Sequence, residues 1–223
     1  ITVSLAVSLV PAISEAVAWN NFTLIRKRIN QSFRITILTA VPVAVIFMNL
    51  AKEIMQILYH STEASNILKF LATGCPFFYL QQTTGGILQG LGRVDVIFRN
   101  ALVGTCINIG SMYLLTPFIG INGAIIAGIS GAFFVSTSNL KSLFKLSKAK
   151  IDWYKDIIAP VIAGVFMSFI IKIILRHTLL TITWNSLLSI LIPALIIYIV
   201  SLLILGATSI KEISMLYKIK PNK

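Results

Sequence analysis

Long apolar runs dominate this sequence, and each is long enough to cross a lipid bilayer as a helix. A transmembrane helix needs roughly 17–25 predominantly apolar residues. No run shows the sustained apolar–polar alternation of a membrane β-strand, so helices are expected. The sequence therefore predicts an all-α, polytopic membrane helix bundle with about seven transmembrane helices. The predicted spans are 1–18, 35–51, 66–84, 100–119, 121–139, 157–175 and 186–206.

The composition also indicates that lipid is the solvent of this chain. The 223 residues are 57% hydrophobic and 12% charged, whereas a soluble domain carries about 25% charged residues. A soluble fold of this size could not bury so much apolar surface. The opening segment ITVSLAVSLVPAISEAV has no initiator Met and no basic leader region, and it looks like the middle of a span. We therefore expect a C-terminal fragment of a longer protein.

Basic residues are distributed unequally between the two ends of the predicted spans. When the joints are assigned alternately to the two membrane sides, fifteen of the nineteen Lys and Arg residues fall on one side. Basic residues mark the cytoplasmic side, so a multi-pass membrane protein with a cytoplasmic C-terminus is predicted. The net charge of +12 is then a topology signal; membrane lipids are expected partners and nucleic acid is not. The four basic residues on the other side are Lys52, Lys69, Lys172 and Arg176.

The segment QQTTGGILQGLGRVDV at 81–96 contains four glycines, which raises the question of a phosphate-binding loop. Both nucleotide-binding motifs fail, because no third fingerprint glycine follows Gly92 and no Gly-Lys-Ser/Thr is present. Gly86 and Gly90 have the spacing that lets two helices approach closely, with a helix end expected at Gly90 or Gly92. Three glutamines lie roughly on one helix face, and amides in an apolar helix usually face protein or a water-filled cavity. These candidate substrate-binding residues are Gln81, Gln82 and Gln89.

Small residues and a tight turn mark the fourth and fifth predicted spans. The two spans are separated only by TPFIGING, whose proline and glycines predict the turn. Asn108 in the fourth span is expected to form an interhelical hydrogen bond. Small residues at helical spacing in the fifth span predict a helix-packing face. Its members are Gly123, Ala124, Ala127, Gly128 and Gly131.

Taken in order, several stretches resemble a known family. PAISEA at 11–16 precedes a basic stretch and the proline-bearing span ITILTAVPVAVIFMNLAKEIMQILY. QQTTGGILQGLGRVDV and TPFIGINGAIIAGISG follow, and LQGLGR and GINGAIIA are the most specific parts. This order resembles the C-terminal half of the stage V sporulation protein B and polysaccharide-export flippases. That family lies in the multidrug/oligosaccharidyl-lipid/polysaccharide superfamily.

The resemblance implies a fourteen-helix transporter of two pseudo-symmetric bundles, of which the present spans would be helices eight to fourteen. Alternating access around a central cavity is expected, together with an N-terminal half as the missing partner. The implied function is the movement of a lipid-linked polysaccharide or peptidoglycan precursor across the plasma membrane, without cofactor or metal. The organisation predicted is a bundle portion over 1–140, a basic connector over 141–156, the last two helices within 157–206 and a basic tail over 207–223.

Charged residues near the predicted cytoplasmic side are further candidates for substrate binding. Glu15 is either a functional carboxylate or a residue at the membrane–water interface that pairs with Arg26 or Arg28. Arg26 or Arg28 either anchors the topology or attracts a pyrophosphate, which guanidinium groups bind bidentately. Arg93 presents the same choice, with a short-loop salt bridge to Asp95 as the structural alternative.

Two other functions compete with the flippase. A cation-coupled multidrug exporter of the same superfamily usually needs an acidic residue deep in the membrane, and no predicted span has one at its centre. A membrane enzyme needs a clustered acid–base or metal constellation, and none is evident. Cysteines 75 and 106 lie in apolar runs without metal spacing, and histidines 60 and 177 have no partners at ligand spacing. Prolines 42, 160 and 193 indicate either kinks or static packing.

Overall fold

Nine α-helices and one π-helical turn make up the part of the chain that the computed structural model describes, which is residues 2–147, 152–177 and 184–207. No residue in those ranges lies in a β-strand, and the predicted all-α fold is confirmed. The π-helical turn Tyr154–Ile158 immediately precedes α8. The helices are α1 (Thr2–Ala18), α2 (Phe22–Asn49), α3 (Ala51–Tyr59), α4 (Ser65–Thr73), α5 (Cys75–Gly90), α6 (Val94–Ile119), α7 (Ile121–Ser147), α8 (Ala159–His177) and α9 (Trp184–Ile204).

Each predicted span coincides with helix, but the described residues provide five single helices of spanning length. These are α2, α6, α7, the segment Tyr154–Arg176 and α9. Helix α1 is a shorter apolar helix, and the third predicted span is divided at Gly74 into α4 and α5. Pro76 explains the division, because it has no N–H to offer the carbonyl of Ala72 and so cannot continue the helix from α4.

Helix α2 begins thirteen residues before the predicted start of the second span, so the basic stretch is part of a helix and not a joint. The Asn21 side chain accepts a hydrogen bond of 3.0 Å from the backbone N–H of Leu24 and caps the helix. Ile25, Ile29 and Phe33 follow at helical spacing and are buried. An apolar stripe of this kind lets a segment with four basic residues remain helical.

The predicted basic connector is also partly helical. Helix α7 continues to Ser147 and the π-helical turn begins at Tyr154, so the predicted range 141–156 includes the ends of two elements. Residues 148–151 lie outside the described residues, as does the predicted basic tail from residue 208 onward. Between α6 and α7 the chain turns at Gly120, whose φ of +59° favours glycine, and the predicted tight turn is confirmed.

Two apolar clusters hold the bundle together, and α2 contributes to both. In the first cluster, buried residues recur at every fourth position of α2, α8 and α9, and the three helices pack on one another through them. This spacing is typical of i±4 ridge packing between helices. In the second, α1 and α5 pack against the N-terminal part of α2 and the end of α7. Helix α6 instead packs mainly on α7 and leaves large apolar side chains exposed, as expected for a surface that faces lipid.

Candidate functional site along helix α5

Helix α5 is packed on three sides, and its fourth side is open. The buried side chains of Thr83, Thr84, Ile87 and Leu88 face α1, α2 and α7. The predicted glutamines lie on the opposite side, between α1 and α6, with Gln82 and Gln89 exposed and Gln81 half-buried. Two clefts follow this face.

The first cleft lies between α5, α6 and α7 and has a volume of about 300 Å³. Gln81 and Gln82 line it from α5, and Thr105 and Asn108 line it from α6. The aromatic ring of Phe78 forms part of the wall. A concave site in which a few polar groups converge beside apolar and aromatic side chains is typical of small-molecule binding.

The second cleft lies between α1, α5 and α6 and has a volume of about 610 Å³. Gln82 and Gln89 line it on α5, opposite Val10 and Pro11 of α1. Gln82 borders both clefts, so the two adjoin along the open face of α5. The structure thus brings all three predicted glutamines to one continuous surface.

The glycines of α5 have two different roles. A Cβ at Gly86 would lie 2.7 Å from the carbonyl oxygen of Ala6, and one at Gly90 would lie 2.9 Å from that of Val10, so both permit the close approach of α1. A Cβ at Gly85 would meet no side chain and no other helix within 4 Å, because Gly85 forms the floor of the second cleft.

The small residues of α7 divide in the same way. A Cβ at Gly123 would lie 2.6 Å from the backbone of Leu115, and one at Gly131 would lie 3.0 Å from the carbonyl oxygen of Gly104 on α6. Ala127 is fully buried between them. Gly128 borders the first cleft, and a Cβ there would have no such neighbour within 4 Å.

Asn108 also borders the first cleft. Its side chain forms no hydrogen bond within the described residues, so the expected interhelical hydrogen bond is absent from that part of the chain.

The basic residues of α2 lie away from the two clefts and differ in their contacts. Arg26 donates a hydrogen bond of 2.7 Å from Nε to the carbonyl oxygen of Ser147, at the C-terminus of α7. A cation at a helix C-terminus satisfies an orphan carbonyl and complements the helix dipole. Arg28 is exposed. Glu15 is exposed as well, and within the described residues it forms no ion pair with either arginine.

Arg93 forms the short-loop salt bridge that was the alternative to substrate binding. Its Nε and Nη2 donate to the two carboxylate oxygens of Asp95, at 3.1 and 3.2 Å. The backbone N–H of Arg93 also donates to the carbonyl of Leu88, at 2.9 Å. The Arg93 side chain is therefore paired with Asp95 at the turn between α5 and α6, and its neighbour Gly92 has a φ of +70°.

A buried polar network behind the open face was not found from the sequence. Asn100 donates from Nδ2 to Oδ1 of Asn139 at 2.9 Å, and Asn139 donates in turn to Oγ1 of Thr84 at 3.4 Å. The hydroxyls of Thr36 and Thr83 lie 2.8 Å apart and join α2 to α5. Asparagines inside apolar runs were the available signal, but their pairing depends on how α6 and α7 pack.

Metal-ligand chemistry has little support in the described ranges. No three His, Cys, Asp or Glu side chains come together there. Cys75 is half-buried and Cys106 exposed, and both are free thiols. His60 ends α3 in a left-handed conformation, and the side chain of His177 lies outside the described residues.

Comparison with known proteins identifies the family. Residues 1–114, about half of the chain, match the MatE family. This chain belongs to the MatE family. The match includes α1 to α5 and most of α6, and therefore both walls of the second cleft. MatE proteins are membrane transporters of the superfamily expected from the sequence, so the chain is part of a helical, multi-pass membrane bundle and not an enzyme.

Three relatives from Bacillus subtilis (strain 168) are similar to this MatE chain. Stage V sporulation protein B is 30% identical over 176 residues, which are 77% of this chain and 34% of the relative. Sporulation protein YkvU is 25% identical over 150 residues, or 66% of this chain and 34% of the relative. An uncharacterized membrane protein, YabM, is 25% identical over 167 residues, or 74% and 31%. The aligned regions are thus about a third of the length of each relative.

Proposed function

We propose that this MatE chain is part of a flippase that moves a lipid-linked polysaccharide or peptidoglycan precursor across the plasma membrane by alternating access. The observation that carries the proposal is the open polar face of α5, with its two adjoining clefts. A MatE transporter needs a polar path through the membrane, and the open face of α5 is the proposed place of that path in this chain.

The energetics of polar groups in lipid support this assignment. A polar group that faces hydrocarbon without a hydrogen-bond partner is costly, so amides in spans usually face protein or a water-filled cavity. Within the described residues, the side chains of Gln81, Gln82 and Gln89 form no hydrogen bond with protein. Water or a polar substrate on the open face would supply their partners.

The other half of the transporter is the proposed partner across this face. In alternating access two bundles rock around a site near the membrane midplane. The expected N-terminal bundle would close the clefts on the side that α1 and α6 leave open. Membrane lipids would cover the outer surface of α6, where Tyr113 is 81% exposed and Phe118 is 86% exposed.

The relatives support the sporulation-type branch of the family for this proposal. Two of the three carry sporulation in their names. The competing exporter would need a carboxylate where the ion binds, whereas the residues that line the two described clefts are uncharged. The residues of this chain therefore favour the flippase over the exporter.

A filled cleft tests the proposal in cells that produce the full-length protein. Depletion of the wild-type protein should make a lipid-linked sugar accumulate on the inner leaflet. Gly85→Leu should reproduce this defect, because its side chain enters the second cleft and meets no packed neighbour at Cβ. Gly110→Leu is the matched control, since Gly110 is exposed on α6, has equal room and borders neither cleft.

The outcomes separate the two transporter readings. Unchanged lipid-linked pools after depletion would refute the flippase. Drug sensitivity that depends on an ion gradient would instead support the exporter. Equal defects in Gly85→Leu and Gly110→Leu, at equal protein levels in the membrane, would contradict the placement of the path along α5.

A further inference from the structure

The first cleft has a chemistry of its own, which goes beyond a general polar path. Its polar groups are the carboxamides of Gln81, Gln82 and Asn108 and the hydroxyl of Thr105. A carboxamide offers two N–H donors and an oxygen acceptor, whereas the hydroxyl groups of a sugar both donate and accept. Phe78 adds an aromatic ring to the same wall, and the apolar faces of sugar rings stack on aromatic rings.

The amide side chains of this cleft take no part in the buried polar network of Asn100, Asn139 and Thr84. Within the described residues, the side chains of Gln81, Gln82 and Asn108 have no hydrogen bond to protein. The structural asparagines behave differently, because Asn100 and Asn139 are buried and bond to each other at 2.9 Å. The cleft amides are therefore polar groups that are available to a ligand.

We propose that the first cleft binds the uncharged sugar of the transported lipid and is the part of this chain that discriminates for it. This inference rests on the proposed flippase function. An uncharged lining does not compensate a diphosphate, so the diphosphate lies outside this cleft. Gln81 and Asn108, which line this cleft from α5 and α6, are the specificity-determining residues.

Transport of two lipids by the full-length protein tests this assignment. The purified protein would be reconstituted into vesicles with a fluorescent polyprenyl diphosphate, either bare or bearing one N-acetylhexosamine. The readout is the ratio of the initial flipping rates of the two lipids. We expect the wild-type protein to prefer the sugar-bearing lipid.

Removal of the amides should lower this preference without unfolding the protein. Gln81→Met and Asn108→Leu preserve side-chain size and remove the hydrogen-bonding groups. Loss of one neutral hydrogen bond lowers binding by roughly two- to tenfold, so the double variant should lower the rate ratio by about tenfold. Gln89→Met is the matched control, because Gln89 borders only the second cleft and should affect both lipids alike.

Each result has one meaning. If the wild-type protein moves neither lipid, the proposed function fails. If it moves the lipids but the double variant keeps the wild-type ratio, the flippase stands and the sugar assignment is wrong. A loss of preference in Gln89→Met equal to that of the double variant would also overturn the assignment. Thermal unfolding of each variant in detergent verifies that the compared proteins are folded.

Discussion

The contact between α9 and the proline of α2 makes a sharp prediction about stability. Pro42 lies inside α2 and has no N–H, so the carbonyl of Leu38, four residues earlier, loses its helical donor. The hydroxyl of Tyr198 on α9 donates to this carbonyl at 3.1 Å. Tyr198 is only 4% exposed, so its hydroxyl donates from inside the bundle. We infer that Tyr198 replaces the hydrogen bond that the proline removes.

Tyr198→Phe removes this donor and leaves the ring in place. A buried carbonyl without a partner costs about 1–3 kcal/mol, whereas hydrogen bonds between membrane helices average about 0.6 kcal/mol with a maximum near 1.7. A loss of about 1 kcal/mol in the free energy of unfolding is therefore expected. Tyr113→Phe, on the exposed surface of α6, should have no effect.

A double-mutant cycle with Pro42→Ala isolates the hydrogen bond from the packing. Alanine restores an N–H four residues after Leu38, so Tyr198→Phe should cost less in this background than in the wild-type protein. The assay is reversible unfolding of the full-length protein in mixed micelles. Equal costs of Tyr198→Phe in the two backgrounds, or no cost in either, would refute the reasoning.

Three further predictions use the same unfolding assay. Arg26→Gln should lower the free energy of unfolding by about 1 kcal/mol, because it removes the charged donor at the C-terminus of α7. Arg28→Gln should leave this free energy unchanged, and equal losses in the two variants would contradict the contact. Gly86→Ala should destabilise the protein, because the new Cβ would lie 2.7 Å from the backbone of α1. Gly110→Ala should stabilise the protein by about 1 kcal/mol through helix propensity. A stabilising Gly86→Ala would show that α1 and α5 are not in contact. Asn139→Leu should cost about 1–3 kcal/mol, because it leaves its partner amide on α6 buried and unpaired, and a neutral effect would exclude the network.

The membrane class of the protein and the arrangement of its helices along the chain are local properties, and the sequence determines them. Apolar length requires helices, because a backbone in lipid must satisfy its own hydrogen bonds. The turn between α6 and α7 is also a local property, because it requires a positive φ at Gly120, which glycine adopts readily. The sequence pattern does not show the early start of α2, because four basic residues lie among the buried apolar residues of its N-terminal part.

The roles of individual residues were decided by the tertiary structure. Gly85 and Gly86 are neighbours of the same type, yet one forms a cleft floor and the other contacts α1. Arg26 and Arg28 are two residues apart, yet only the first reaches the end of α7. Both distinctions depend on which helix lies opposite, and that helix is contributed by residues about 80 to 120 positions away. Sequence periodicity shows that a face exists, but packing between distant helices determines what the face contacts.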